Sequence, residues 1–345
     1  MASPKIVTAG LVGLALLTAC APSDTNDTSA ARVALIEDFT PGDTPAACEA
    51  VTPGFEIPSD IEDLRTLGDS ALLVHFGAAR VVVEADATLA PSHLYEYARE
   101  GVGAVKEPRG VIGFPDSVIV ADAAGASLVT LRRDGTSATR RLDFSPDRIV
   151  ETPVGLVVTE MSTPFSSTLA RRVTGEEVAA LPIPKEILDG ATMATIGNTT
   201  TPIVVDGGQR VLLFHQFIAP LVHTGSLNEG AFEWETRPLP IPAAHEAKAW
   251  WYPEAPYHEA DIESIIAPTI AAAGRPDGSE IFVLGRSGRR RAHHAEKAIF
   301  AFDRNLSFTH GWTLDFNASH MAYLPRESVL ILATPMGEWY RCSVD

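Results

Sequence analysis

The chain contains only three cysteines, few basic residues and no long amphipathic periodicity typical of helices. It also lacks the motifs of several enzyme classes: a GxSxG nucleophile elbow, a P-loop, an HExxH zinc helix and a dinucleotide fingerprint. Lysine and arginine total 27 against 44 acidic residues, giving a formal net charge of −17. Because nucleic-acid phosphates require a basic face, this balance argues against nucleic acid as a partner, and it disfavours electrostatic binding to anionic lipid.

One long apolar run is present, at the N-terminus, and it has the features of an export signal. Lys5 supplies a short positive region, and Ile6 to Leu17 form an uncharged apolar segment. As a helix this segment rises about 18 Å, whereas a hydrocarbon core is about 30 Å thick. It therefore predicts a signal and not a transmembrane helix. No second run approaches membrane-spanning length, so we expect the rest of the chain to be soluble.

The signal ends in Leu17-Thr18-Ala19-Cys20, which resembles the lipobox of bacterial lipoproteins. The resemblance implies removal of residues 1–19, acylation of Cys20, and a lipid anchor in the cell membrane facing outside the cytoplasm. Two or more acyl chains make such anchoring stable. An ordinary secretory signal with an incidental Cys20 is the alternative. Residues 20–31 are polar and predict a flexible tether, which leaves 32–345 as the folded domain.

The other two cysteines, Cys48 and Cys342, lie near the two ends of that domain. An even pair in an oxidising compartment predicts a disulfide. Closing a loop of roughly 300 residues stabilises a fold by roughly 5 kcal/mol in the chain-entropy model. Two free buried thiols are the alternative.

Short β-branched runs alternate with Gly, Asp, Asn and Pro turns, which predicts an all-β fold. Four strands end in similar segments, at Arg141–Pro146, Leu181–Pro184, Leu239–Pro242 and Thr313–Asn317. Predicted units start near Ile61, Val105, Arg148, Thr192, Ile265 and His320, at spacings of 44, 43, 44, 73 and 55 residues. Units of about 40–45 residues with four short strands are typical of β-propeller blades. We therefore predict six blades, with a seventh in the longest interval as the alternative.

The last unit, His320 to Asp345, has room for three strands, whereas Arg32 to Asp38 is an unmatched strand before the first unit. We predict that this N-terminal strand pairs onto the last blade, which closes the ring and removes exposed sheet edges. Closure would also bring Cys48 and Cys342 into one blade. The architecture is similar to that of six- and seven-bladed propellers exported by bacteria.

Two insertions, at 243–263 and 285–297, form the predicted ligand face. Blade-to-blade connections and second-to-third-strand loops emerge on the same face of a propeller, so both insertions are expected to project together from the fifth blade. Aromatic and arginine side chains dominate binding hot spots. The candidate residues are Trp250, Trp251, Tyr252, Tyr257, His258, Glu259, Asp261, Arg289, Arg290, His293 and His294.

Each of these groups has a structural alternative. The aromatic residues would pack the insertion onto the propeller, and the arginines, with Arg286 and Arg291, would form a solvated hairpin tip. His258, Glu259, Asp261 and Glu263, with His293 or His294, offer ligands to Ca²⁺ or Zn²⁺, but their spacing matches no metal motif, and we predict no cofactor.

Three further features carry a structural prediction. Gly68-Asp69-Ser70 is predicted to be a turn between two strands, not a catalytic block. His75 and His215 lie in predicted strands, where they are expected to be hydrogen-bonded core or face residues.

The favoured hypothesis is a monomeric, membrane-tethered module that binds or scaffolds a protein, peptide or glycan, with enzymatic activity left open. The alternative is a metal-dependent hydrolase or lactonase. Six-bladed propellers of that type hold Ca²⁺ in the central channel with Glu, Asp and Asn residues of the inner strands. Three or four acidic or amide side chains converging at the channel mouth would favour the enzyme.

Overall fold

The computed structural model describes residues 45–57, 60–101, 103–160, 167–173, 177–182, 200–215, 221–239, 269–287 and 296–344, all within the compact unit Val33–Asp345. In these ranges the chain forms six antiparallel sheets of four strands each, with one 3-10 turn at Asp206–Gly208. Strand β1 (Cys48–Val51) precedes the first complete sheet. No helix in these ranges is long and apolar enough to cross a membrane.

Each sheet is one propeller blade, with its strands ordered from the inner to the outer edge. Blade 1 consists of β2 (Asp63–Leu67), β3 (Ala71–Phe76), β4 (Val81–Asp86) and β5 (Pro91–Glu96). Blade 2 consists of β6 (Pro108–Phe114), β7 (Ser117–Asp122), β8 (Ser127–Arg132) and β9 (Ser137–Arg141). Blade 3 consists of β10 (Pro146–Thr152), β11 (Gly155–Glu160), β12 (Ser167–Arg172) and β13 (Glu177–Pro182).

The second half of the ring repeats this order. Blade 4 consists of β14 (Thr200–Val205), β15 (Arg210–His215), β16 (Leu221–Asn228) and β17 (Ala231–Pro238). Blade 5 consists of β18 (Thr269–Gly274), β19 (Glu280–Ser287), β20 (Glu296–Asp303) and β21 (Phe308–Leu314). Blade 6 consists of β22 (His320–Leu324), β23 (Val329–Ala333), β24 (Trp339–Ser343) and β1.

The inner strands form a closed ring. Each of β2, β6, β10, β14 and β18 contacts the next inner strand, and β22 returns to β2. The fold is therefore the six-bladed propeller that the repeat spacing predicts, and the four similar segments follow outermost strands of blades. The predicted start of the fourth unit, Thr192, lies outside the described residues, and the inner strand of that blade begins at Thr200.

The ring closes through an N-terminal strand, as predicted, but the strand is not Arg32 to Asp38. The edge of β24 is paired with β1, in a register that places Cys48 opposite Cys342 and Val51 opposite Trp339. A disulfide joins Cys48 to Cys342 across 294 residues of sequence. The disulfide and the packing of the partly buried Val51 against the core stabilise Cys48–Val51 as the closing strand. Arg32–Asp38 has the stronger strand pattern in sequence but lacks a cysteine. Residues 32–38 lie outside the described residues.

Burial explains why the strands differ in composition. The second strands lie between two neighbouring blades, so both faces are covered and the sequence is almost continuously apolar, as in β3 and β23. Outer strands face solvent, and β9 carries mostly exposed polar residues. The turn at Gly68-Asp69-Ser70 joins β2 to β3 as predicted, and Gly68 adopts a φ of 61°, a conformation that glycine accepts without strain.

Candidate functional site

The six inner strands line a central channel, and the described residues enclose two cavities in it. An upper cavity of about 320 Å³ lies where the inner strands begin, and a lower cavity of about 380 Å³ lies where they end. Leu64, Arg65, Ala272 and Met321 belong to the walls of both. Most residues of the lower wall are of apolar types, and its charged members are Arg65, Asp69 and Glu151. The upper wall carries five charged residues: Glu62, Asp63, Arg65, Arg148 and Lys297. The upper cavity is therefore the candidate functional site.

Arg65 separates the two cavities by crossing the ring. It starts from β2 in blade 1, and its Nη1 donates to the carbonyl oxygen of Pro202 in blade 4 at 2.6 Å. Blades 1 and 4 are opposite each other in a six-membered ring. The Arg65 Nε lies 2.9 Å from Asp63 Oδ1, so one guanidinium joins a carboxylate and a backbone oxygen across the channel.

Asp63 is a buried carboxylate whose hydrogen bonds come from three neighbours. The backbone N–H groups of Leu64 and Val111 donate to it at 3.1 and 3.0 Å, and Arg65 supplies the third contact. Burial alone would raise the pKa of this carboxyl, but Arg65, Arg148 and the Val111 N–H hold it below its usual range. Asp63 is therefore an ionised structural partner of the arginines.

Arg148 projects into the channel from a bulge at the start of β10. The pairing of β10 with β11 shifts register between Pro146 and Ile149, and such bulges redirect side chains. The guanidinium lies 3.7 Å from Asp63 Oδ2 and 3.9 Å from Asp147 Oδ1. Gly110 allows β6 to approach closely, because a Cβ there would lie 2.9 Å from the Arg148 Cα.

Two acidic groups beside Arg148 are disfavoured in their ionised forms. Burial raises the pKa of Asp147, and the attraction of Arg148 does not offset it. Burial also raises the pKa of Glu62, although Arg148 and Arg109 act in the opposite direction. Glu62 lines the upper cavity, and its Oε1 lies 3.9 Å from the Arg109 Nη1.

The opposite side of the cavity is formed by blades 5 and 6. Lys297, the second residue of β20, is buried, and its Nζ donates to the carbonyl oxygen of Ala318 at 2.7 Å. His320 begins β22, and its Nδ1 lies 2.9 Å from the Ser319 hydroxyl oxygen. Burial lowers the pKa of His320 to about 4, so the imidazole is neutral at pH 7.

The residues predicted to form the ligand face or to bind a metal lie outside the described residues. They are Trp250, Trp251, Tyr252, Tyr257, His258, Glu259, Asp261, Glu263, Arg289, Arg290, Arg291, His293 and His294. Of the two insertions, the second is partly described: Gly285–Ser287 belongs to β19, and 296–297 begins β20. Lys297, the last residue of the second insertion, and Ile270, which follows the first, both line the upper cavity. The first segment joins blade 4 to blade 5, and the second lies within blade 5.

The charged residues that line the channel belong to no motif that the sequence presents. These residues lie in inner strands and have no characteristic spacing in the sequence. They are Asp63, Arg65, Arg148 and His320. The available signal was a pair of opposite charges at alternate positions of one short strand, Asp63 and Arg65. Alternate residues share a face of a strand, so both charges become buried when that face lines a channel.

The predictions for His75 and His215 are confirmed, since both are fully buried and hydrogen-bonded. His75 Nδ1 lies 2.9 Å from the Arg109 carbonyl oxygen, an acceptor only, so Nδ1 carries the hydrogen; Nε2 lies 2.8 Å from the Tyr97 hydroxyl oxygen. His215 Nε2 lies 2.7 Å from Nε2 of His223, another fully buried residue. Burial lowers the pKa of His75 to about 4, and burial together with His215 lowers that of His223 to about 2.

The acidic and amide groups at the upper cavity do not form an open cation site. Glu62, Asp63 and Asn317 line it, but Asp63 is already held by Arg65 and two backbone N–H groups. Across the described residues, no group of three or more His, Cys, Asp or Glu side chains is arranged to hold a metal ion. The chemistry available in this wall is ion pairing by arginine and lysine and hydrogen bonding by these groups and by a neutral imidazole.

Fold and site together define a six-bladed β-propeller with a charged upper channel mouth. No family model and no curated protein matches the chain. A Bacteroides fragilis protein described as exported has a TM-score of 0.56 and 11% identity, covering 86% of each chain. A gluconolactonase from Xanthomonas campestris has a TM-score of 0.53 and 10% identity over 88% of this chain and 98% of that one. A virginiamycin B lyase from Staphylococcus aureus has a TM-score of 0.51 and 11% identity over 84% of each. Identities this low extend the similarity to the fold alone.

Proposed function

We propose that this chain is an extracytoplasmic binding module that holds a protein, peptide or glycan over the upper end of its channel. The observation that carries the proposal is the upper cavity, which is lined by buried polar side chains. Its volume of about 320 Å³ is at the lower end of the range for ligand pockets. It therefore suits one end group of a larger ligand, whose remainder would contact the rim.

The insertions supply the contact area that such a ligand would need. Lys297, the last residue of the second insertion, and Ile270, which follows the first, line the upper cavity, so the chain reaches this rim at or after the end of each insertion. The first insertion carries Trp250, Trp251 and other aromatic residues that favour binding hot spots. This connectivity supports one ligand face made of the channel mouth and the segments next to it.

The proposed location is the outer face of a cell membrane, with acylated Cys20 as the anchor. The signal-like N-terminus ending at Cys20 supports it. The Cys48–Cys342 disulfide supports an oxidising compartment, because such bonds persist outside the cytoplasm. A structural neighbour that is described as exported agrees with this location.

The hydrolase or lactonase alternative has less support from the channel. A Ca²⁺ ion prefers several carboxylate and carbonyl oxygens, whereas Asp63 faces Arg65 and Arg148 here. A dication at this point would be repelled by two guanidinium groups. The similarity to a gluconolactonase concerns the fold and brings no residue assignment to this chain.

The test is a peptide and glycan array probed with the purified mature chain and with two blocking variants. Ser319→Phe would fill part of the upper cavity, whereas Asp69→Trp adds bulk at the lower end of the channel. We expect ligands that lose binding to Ser319→Phe and keep it with Asp69→Trp. Ligands that respond to neither variant, or only to Asp69→Trp, would place binding elsewhere and contradict the proposal.

A further inference from the structure

The lower cavity of the channel is the larger of the two and has no part in the proposed function. Its volume is about 380 Å³, and each of the six inner strands contributes to its wall. A concave wall that is mostly apolar and carries a few polar groups is typical of small-molecule sites. Most of the lining residues here are of apolar types, and they include Leu67, Ile112, Val150, Ile203, Ala273 and Met321.

Small residues leave this space open, and tight packing behind them keeps its shape. Blade 5 contributes residues 272–274, with the sequence Ala-Ala-Gly, to the wall. A Cβ on Gly274 would lie 3.2 Å from Val205 Cγ1, and a Cβ on Gly113 would lie 2.5 Å from Leu73 Cδ1. Because closely packed interiors resist deformation, the wall is rigid and the cavity is preformed.

Arg65 closes the lower cavity from above and offers it hydrogen-bond donors. Its Nε lies 2.9 Å from Asp63 Oδ1, and its Nη1 donates to the Pro202 carbonyl oxygen at 2.6 Å. The third nitrogen, Nη2, makes no hydrogen bond with a described residue. A guanidinium has N–H donors on all three nitrogens, so those of Nη2 remain for an acceptor oxygen of a bound molecule.

Tyr323 is an aromatic part of this wall and is fixed at both ends. Its hydroxyl oxygen lies 2.9 Å from Arg275 Nη1, and the Thr66 hydroxyl donates to its carbonyl oxygen at 2.7 Å. The Arg275 guanidinium also lies over the ring, 5.4 Å from its centroid, and is paired with Glu280 at 2.9 Å. A side chain that is already ordered lowers the entropy cost of binding.

Charges of both signs lie side by side at the lower mouth. Asp69 and Glu151 belong to the lining together with Arg65. Arg326 is exposed next to Asp69, and its backbone N–H donates to the Asp69 carbonyl oxygen at 3.0 Å. Because neither sign dominates, the mouth gives no electrostatic preference to an anion or a cation. The cavity therefore suits an uncharged molecule.

We infer that the lower cavity binds an uncharged small molecule with a mainly apolar body and one acceptor oxygen, which the Arg65 guanidinium holds. A cavity of roughly 150 Å³ holds a benzene molecule, so about 380 Å³ suits a molecule of on the order of fifteen non-hydrogen atoms. The site lies at the opposite end of the channel from the proposed ligand face. It is a second binding function and does not depend on the first.

The test probe is benzophenone, which has this size, no charge and one carbonyl oxygen, and which couples to nearby C–H groups under near-ultraviolet light. The purified chain is irradiated with increasing amounts of the probe, and mass spectrometry identifies the labelled peptides. We expect saturable labelling of residues that line the lower cavity, such as Leu67 and Ile112. Labelling that does not saturate, or that saturates only elsewhere in the chain, would overturn the inference.

Two tryptophan variants locate the site. Asp69→Trp narrows the lower mouth and should weaken the probe about tenfold. Asp116→Trp is the matched control, because each aspartate is exposed in the turn after an inner strand and accepts a backbone N–H through its carbonyl oxygen, from Arg326 at 3.0 Å or from Arg133 at 3.1 Å. Asp116 does not line the cavity, so its variant should be labelled as the wild type is. Equal labelling of the two variants would contradict the site, and so would a loss in Ser319→Phe, which fills part of the upper cavity.

Competitors of the same shape test the chemistry of the ligand through their loss of benzophenone adduct. Diphenylmethane lacks the oxygen, 4-benzoylbenzoate adds a negative charge, and 4-(aminomethyl)benzophenone adds a positive one. Burying a carbonyl without a donor costs free energy, so benzophenone should bind at least as tightly as diphenylmethane only if Arg65 donates to it. The charged forms should bind no tighter than benzophenone. About tenfold tighter binding of diphenylmethane would refute the role of Arg65, and the same gain for a charged form would show that the ligand is an ion.

Discussion

The joint between blades 6 and 1 and the joint between blades 3 and 4 lie on opposite sides of the ring and are built differently. The first is mainly apolar: its core cluster contains residues such as Leu72, Phe76, Ile331 and Trp339, with Phe55 packed against it. The second combines a smaller apolar cluster, which includes Val157 and Leu213, with a row of polar side chains.

That polar row runs across all four strands of blade 4. His223 lies opposite Leu213 on the neighbouring strand, so the two side chains share one face of the blade. His215 lies on the same face because it is two residues beyond Leu213. Thr200 lies opposite His215, and Thr236 lies opposite His223. The Thr236 Oγ1 lies 2.6 Å from the His223 Nδ1. The chain passes through both joints, from β13 to β14 and from β1 to β2, but the two ends of the domain meet inside blade 6, beside the 6–1 joint, where β1 pairs with β24. Apolar burial and a covalent bond at the closure leave the opposite joint free to bury polar groups.

Removing the disulfide is the strongest way to break the comparison. The double variant Cys48→Ser/Cys342→Ser should lose about 4–5 kcal/mol of unfolding free energy, because the bond closes a loop spanning 294 residues. Urea unfolding measures the loss. Dithiothreitol should lower the wild type to the same level and leave the variant unchanged. Equal stability of wild type and variant would mean that the apolar joint alone closes the ring.

Acid should weaken the fold through its buried histidines, including His223 in the 3–4 joint. An unfolded histidine titrates near pH 6.5, whereas the folded pKa values of His75 and His223 are about 4 and about 2. Between these values the unfolded state binds more protons, so the stability is complete above about pH 6.5 and falls as the pH decreases. Each of these two histidines should lower the free energy of unfolding by about 2 kcal/mol at pH 5 compared with neutral pH.

Urea midpoints at pH 7.5 and pH 5 measure this acid loss. His223→Gln should reduce the slope, whereas the exposed His310→Gln should not. A wild type that is equally stable at both pH values would show that these imidazoles do not titrate as their burial requires.

The aromatic residues of the two joints should differ in their contribution to stability. Trp339 is 4% exposed and packs edge-on to Phe55 with ring centroids 6.0 Å apart, so Trp339→Ala should cost about 3 kcal/mol. Trp234 in the 3–4 joint is only partly buried and covers Gly225, and Trp234→Ala should cost about half as much. Guanidinium unfolding of both variants gives the difference. A larger loss for Trp234→Ala would reverse the proposed roles of the two joints.

The sequence predicted the number of blades, the manner of closure and the disulfide, because period and cysteine position are local or countable features. It misplaced the closing strand, since Arg32–Asp38 has the better apolar pattern while the pairing of Cys48–Val51 depends on its tertiary partners on β24. Propensity within one segment contains no information about those partners.

The channel charges were not predicted for a related reason. Arg65 acquires its role by reaching Pro202, 137 residues away in sequence, and Arg148 does so through a bulge and a close approach at Gly110. Such juxtapositions follow from ring geometry and leave no spacing motif. The predicted loop residues from Trp250 to His294 stay a prediction. Among the described residues of those segments, Lys297, at the end of the second insertion, lines the cavity.

The smallest effect is expected from a single hydroxyl in the polar row. Thr236→Val keeps the shape of the side chain but removes the oxygen that contacts His223 Nδ1, leaving a buried imidazole nitrogen without this partner. The loss of an unreplaced buried hydrogen bond should cost about 1 kcal/mol, measured by urea unfolding at pH 7.5. Thr139→Val, at an exposed position of β9, is the matched control and should be neutral. If Thr236→Val is as stable as Thr139→Val, the polar row contributes no specific bonding, and the 3–4 joint differs from the closure joint only in its smaller apolar area.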